Sequence, residues 1–328
     1  MLAGFKVRAF EYLGKQEFVR QRPLRKEFRT FYMVDPDWNV VESSISMPGW
    51  AMGLGMGDFS GSDVGAYALK NSLLIEGSTS VIGNHLINRF RTGFIDVRLV
   101  PTLIPLAVTS VEVKEESVVV SEKGIGGAPD LLRMITCDCT RRTETPMPGG
   151  GVSFEVEYPL YRKVVVGLDD TDSSVKGATF VTALRIAGLV ERLVKGTKFL
   201  RLTISLNWPK NPDKTTNNAS SAVVFAVKPE KEKEVIDQFT RLLSKYTISK
   251  ETGMAAMNRV QAPEELMTYA RKVKSVHVDV AEALKVADRT GIDAIPITGE
   301  RGLIGALSAT GLVDYPGEAM SPVVVSSV

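Results

Sequence analysis

Cysteine is nearly absent from this chain: Cys137 and Cys139 are the only two in 328 residues. One intervening residue fits neither a disulfide framework nor a zinc ribbon, so a reduced cytoplasm is the default expectation. No apolar stretch approaches the ~18 residues a membrane span needs, and no basic-then-apolar leader opens the chain, so neither a span nor a secretory signal is expected. The most apolar loop-like run, Leu99 to Val108, is broken by Pro101 and Pro105. Charge of one sign is also missing. The 40 Lys and Arg against 38 Asp and Glu leave a net +2, which names no partner. Histidine is scarce, and His85, without acid or thiol neighbours at ligand spacing, reads as a core or surface residue rather than a ligand.

What remains is a globular composition, 44% hydrophobic, in a chain long enough for two domains with a core each. Pro146, Pro148 and Gly149 to Gly151 mark a break, so residues 1–150 are read as an N-terminal α+β domain and 151–328 as a second domain. Strands alternate with helices at short spacing in the second half. The expected fold class is α/β, in α+β layers: a mixed sheet with helices in the C-terminal domain and a strand-richer N-terminal domain.

The stretch from Lys163 to Thr182 organises the chain. Val164, Val165 and Val166 read as a buried strand, followed by Gly167, Leu168, Asp169, Asp170, Thr171, Asp172 and Ser173, then Gly177, Ala178 and Thr179. A helical apolar run resumes at Phe180. Three acids at the end of one strand repel one another unless a cation neutralises them. Magnesium with a nucleotide phosphate at the following helix N-terminus would suit this arrangement. A capped acidic turn, with Asx-turn chemistry at Asp170 and Asp172, Ser173 or Ser174 as cap and no ion, is the plainer alternative.

The run GLDDTDS followed by GATF resembles the opening motif of the kinase-like domain of archaeal agmatinylcytidine synthetases, which modify isoleucine tRNA. That resemblance implies ATP and Mg2+ as cofactors, with Asp169, Asp170 and Asp172 on the metal and phosphates and Gly167, Thr171, Ser173 and Gly177 around them. Thr179 matches a threonine that is phosphorylated in that family, while Ala178 replaces the family's cysteine. Between the strands Phe199 to Leu206 and Ser220 to Val227 lies a polar loop. Its Asn207, Pro212, Lys214, Thr215 and Asn218 match the family's loop, with Asn217 where the family has glycine. Lysine offers a point charge there, and amides offer directed donors for an anion. IPITGERGLIGALSA, with Arg301 and Gly302, resembles a third segment, so the likeness runs from Val164 to Gly311. With no Cys-x-x-Cys in this sequence, no match to the synthetases' oligonucleotide-binding barrel and zinc ribbon is expected within it. The pairing of a preceding domain with the D-D-T-D module, and the segments Lys210 to Thr215 and Ser249 to Thr252, resemble the methanogenesis marker protein 11 family, which implies an archaeal cytoplasm.

Other readings are blander. Residues 1–30 carry eight Lys or Arg against three Glu with aromatics interleaved, which reads as alternating strand faces more than a nucleic-acid surface. Met47 to Gly65 is a glycine-rich loop. Ser110 to Ser121 reads as a hairpin leading through Gly124, Gly126 and Gly127 into a helix at Pro129. Pro229 to Lys245, Pro263 to Lys272 and Val280 to Ala287 read as helices, and Ser275 to Val278 as a short strand holding a packed His277. The function expected is a magnesium-dependent, ATP-using phosphoryl or adenylyl transferase with Asp170, Asp172, Thr179 and Lys214 at the chemistry. The alternatives are a nucleotide-switched assembly factor that grips a protein partner or a second copy of the chain, and tRNA modification itself. Nucleic acid and membrane are not expected as partners.

Overall fold

The structure, a computed structural model, describes residues 28–321 apart from 38, 48–68, 100, 103, 213, 215 and 216. Most of the basic N-terminal segment, nearly all of the glycine-rich run after Met47, and Thr215 therefore lie outside the described residues.

The first half is built on strands β1 (Arg29–Val34), β2 (Val40–Ser46), β3 (Ser80–Ile82), β4 (His85–Arg91), β5 (Gly93–Phe94), β6 (Leu106–Val113) and β7 (Ser117–Gly124). The β6–β7 hairpin is the one expected at 110–121, and helix α1 (Ala128–Ile135) follows its glycine loop with Pro129 in the first turn. Strand β8 (Arg141–Pro146) then turns into β9 (Val152–Asp169). The proline- and glycine-rich segment expected as a linker is that turn, closed by Met147 N–H donating to the Gly151 carbonyl.

Strand β9 is 18 residues long and serves both halves. Its first part pairs antiparallel with β7 and β8 and, at Leu160 and Tyr161, parallel with β1. Its second part pairs antiparallel with β11 (Ala219–Val227) and β12 (Gly253–Met257). Outside these lie β10 (Thr197–Leu206) beside β11 and β13 (Asp293–Pro296) beside β12. The result is one mixed sheet of 13 described strands with helices packed on it. Helices α2 (Thr179–Leu193) and α3 (Glu232–Tyr246) cover one face of its second half. Helices α4 (Glu264–Ser275), α5 (Val280–Thr290) and α6 (Gly302–Gly311) cover the other, and α7 (Pro316–Met320) follows.

This double cover explains the valine run. Side chains alternate along a strand, so Val164, Val166 and Leu168 pack under α2 and α3 while Val165 packs towards α4 to α6. A strand buried on both faces has no polar face to alternate with. Gly167 falls on the α6 side, where a Cβ would overlap the Ala306 carbonyl and Thr310 Oγ1. Its absence lets helix and strand backbones touch.

The two halves also meet at a buried charge cluster. Lys163 Nζ on β9 donates to Glu42 Oε2 at 3.0 Å and to both Asp314 oxygens at 2.9 and 3.0 Å. Arg89 bridges the same two acids, and Arg201 pairs with Asp314. Burial opposes ionisation of Asp314, but Lys163, Arg89 and Arg201 outweigh it and hold this carboxyl below its usual range. Beside them His85 is buried with its Nδ1 3.0 Å from Ser44 Oγ.

Candidate nucleotide site at the acidic end of β9

Asp169 is the last residue of β9, and Asp170 turns the chain out of the sheet with φ +52°. A non-glycine residue there is uncommon, and aspartate tolerates it better than most because its short polar side chain bonds locally. Here the local bond is Asp170 N–H to Asp169 Oδ1, 2.8 Å. The strained turn is held from outside as well. Thr252 Oγ1 donates to the Asp170 carbonyl at 2.6 Å and Ile248 N–H to the Thr171 carbonyl at 3.1 Å, while Thr247 and Thr252 hydroxyls bond each other. Thr247, Ile248 and Thr252 thus clasp the acidic turn, a role invisible in their sequence.

Arg301 Nε reaches Asp170 Oδ2 at 3.1 Å from the residue before α6. Burial raises the Asp169 carboxyl well above its usual range, and the neighbouring charge of Asp170 adds to this. Asp170 is also raised by burial, with Arg301 opposing. When both are ionised, the pair carries more negative charge than one guanidinium offsets. Helix α6 crowds it from below: a Cβ on Gly305 would overlap Asp169 Oδ2, and one on Gly302 would overlap the Gly253 N and Glu251 carbonyl.

Two clefts open on either side of the acids, sharing Asp169, Asp170 and Asn218. One contains Lys214, Asn207 and Arg301. The other contains Asp172 and Thr179. Asn207 is buried, bonded to Ser220 Oγ and Ser308 Oγ. Lys214 is exposed and rests on the Pro209 carbonyl at 2.6 Å. Asn218 takes φ +51° and donates to the Trp208 carbonyl, so the left-handed turn that the family's glycine would supply falls one residue after Asn217.

Three expectations need correction: a cap at Ser173, glycines at the ligand and a packed His277. Thr179 opens α2, which has no side-chain cap, and its hydroxyl accepts from Thr171 Oγ1 at 3.3 Å. Ser173 is no cap either, since its Oγ bonds with Lys176 in a small turn ahead of Gly177, which has φ +91°. Gly167, Gly177 and Gly302, expected near the ligand, line neither cleft, and the first and last are sites of strand–helix packing. His277 lies in an open segment after α4, exposed and edge-on to Trp208, and both line the Lys214 cleft. Sequence reading missed Trp208 and His277 as cleft residues.

Against known proteins, no family model matches. An uncharacterized protein of Methanocaldococcus jannaschii, MJ0921, is 34% identical over 223 residues, 67% of this chain and 74% of that protein. The isoleucine-tRNA 2-agmatinylcytidine synthetase TiaS of Pyrococcus horikoshii is 29% identical over 154 residues, 46% of this chain. That of Thermococcus sibiricus is 26% identical over 152 residues. Each match spans 35% of the synthetase. Among solved structures, a crystal structure of TiaS in complex with isoleucine tRNA and ATP aligns with a TM-score of 0.42 at 27% identity, covering 46% of this chain and 36% of the other.

Proposed function

This chain belongs to the family of the uncharacterized Methanocaldococcus jannaschii protein MJ0921, and on that footing we propose that its second half binds ATP with magnesium at the end of β9 and uses it in phosphoryl or adenylyl transfer. The observation that carries the reading is the electrostatics of Asp169 and Asp170. Two half-buried neighbouring carboxylates with raised affinity for protons, faced by one arginine, form a site that a cation relieves. The match to the agmatinylcytidine synthetases supports a nucleotide-using chemistry.

The donor set fits magnesium. No three His, Cys, Asp or Glu side chains gather into a metal cluster among the described residues. One or two carboxylates, with phosphate oxygens and water completing the shell, is the arrangement magnesium prefers. Bound there, the ion would neutralise phosphate charge. Asp169 and Asp170 would hold it, Arg301 fixes the Asp170 carboxylate, and Lys214 with Asn218 meets the phosphates from the facing loop. Thr179, inside the cleft with all three aspartates, contacts a terminal phosphate rather than accepting it.

Calorimetry with ATP and magnesium on the wild type and Asp170→Asn tests the site: at least a tenfold loss in the variant is expected, and equal affinity ends the proposal. A second reading, a nucleotide-switched docking factor, is favoured by exposed Phe180, Val181 and Leu184 on α2 beside the cleft. Nucleotide binding without turnover would support it. The synthetases' name also keeps tRNA modification open, against the expectation that nucleic acid is no partner. Loss of agmatinylated isoleucine tRNA on gene deletion would establish that reading.

A further inference from the structure

In the first half, between the sheet and α1, lies a cavity of about 90 Å³ that shares no lining residue with the clefts around Asp169. One enclosed water needs roughly 10–15 Å³ by the same measure, so there is room for about six water-sized positions. The walls are almost wholly apolar, with Phe90, Leu106, Leu132 and Ile135 among them. Hydroxyls of Thr30, Tyr32, Ser43 and Tyr158 interrupt that surface, as do two further polar side chains, Glu122 of β7, 4% exposed, and Asn88 of β4, 3% exposed. Glu122 Oε2 and Asn88 Oδ1 have no hydrogen-bond partner among the described residues. An orphaned buried acceptor costs about 1–3 kcal/mol, and more when charged.

Both orphans are acceptors, so the missing partner is a donor, while the surrounding walls call for hydrocarbon. We propose that this cavity binds a compact primary amine with a short alkyl or aryl body, its ammonium donating to Glu122 and Asn88 and its hydrocarbon lying against Leu106 and Leu132. Water would satisfy the acceptors but leave the apolar walls wet, whereas an amphipathic amine meets both.

Burial pushes the Glu122 carboxyl up to about 7. The titratable groups that feel it are Tyr32 of β1 and Tyr158 of β9, both held protonated by burial, and α1 contributes only Leu131, Leu132 and Ile135 to the walls. An ion pair with ammonium requires the ionised carboxyl, so affinity should rise as pH passes upward through the neutral range.

Benzylamine is a suitable probe, with benzyl alcohol as its neutral counterpart, titrated calorimetrically into the whole chain. The expected result is at least tenfold tighter binding of the amine than of the alcohol. That preference should disappear in Glu122→Gln, and both ligands should be excluded by Leu106→Phe, which fills the cavity. On the wild type alone, the amine should bind several-fold better at about pH 8 than at about pH 5.5. Equal binding of amine and alcohol, a flat pH profile, unchanged amine affinity in Glu122→Gln, or no heat up to about 10 mM would each overturn the proposal. Nucleotide affinity should be the same in both variants.

Discussion

Gly305 lies directly against Asp169, so close that a Cβ would overlap the carboxylate oxygen. Gly305→Ala must therefore move either α6 or the acid. We expect about 1–3 kcal/mol of lost stability in urea melts, together with weakened nucleotide binding by calorimetry. Gly188, in the middle of α2 with open space around it, is the contrast. Gly188→Ala should gain about 0.5–1 kcal/mol through helix propensity alone.

Asp169→Asn should separate stability from binding. The wild-type carboxyl has a raised pKa, so its contribution to stability is greatest at acid pH and falls as pH rises through the folded value. Asparagine keeps the acceptor for Asp170 N–H and removes the repulsion. Thermal melts at mildly alkaline pH should show the variant at least as stable as the wild type without ligand, with magnesium–ATP no longer raising its melting temperature. A variant that melts lower and still responds to ligand would contradict this.

Thr179 sits within the cleft but bonded to Thr171. Incubation with ATP and magnesium followed by intact-mass measurement should show no phosphate-sized gain, and Thr179→Ala should weaken nucleotide binding several-fold. A mass gain that Thr179→Ala abolishes would make the residue an acceptor.

His85 gives the first half its own response to acid. Burial, then the charge of Arg201, lowers this imidazole from 6.5 to about 4. Its contribution is full above the unfolded value and is lost as pH falls from about 6.5 towards 4, a swing of about 3 kcal/mol. Chemical denaturation across that window should show stability falling with pH. His85→Gln should flatten the slope, and an unchanged slope would assign it to other groups.

Much of the second half was legible because its elements obey one period each. Val164 to Val166 is a two-sided buried strand, and Val235, Phe239, Leu242 and Leu243 form one buried face of α3. Asp169, Asp170, Arg301, Lys214 and Asn218 line one cleft, while Asp172 lies in the other. What failed to show lacks a local signature. Gly253–Met257 is a strand of small and flexible residues, buried throughout and without alternation. The length of β9 was hidden by Pro159, which reads as a break. Ser275 to Val278 has strand-like composition, yet α4 runs on through Ser275 and no neighbouring strand takes up the rest. The cluster around Lys163 draws partners from positions 42, 89, 201 and 314, and no reading of spacing could unite them.

Strand β9 has one further consequence, for the timing of backbone exposure. At 18 residues it is about three times the usual strand, and it is paired on both sides near Val156 and again near Val166. Each amide along it exchanges only when the neighbouring strand that accepts its hydrogen lets go, and those neighbours belong to both halves, so the strand should open as one cooperative unit. A ligand gripping Asp169 and Asp170 should then slow deuterium uptake as far back as Tyr158, in the half of the chain it never touches.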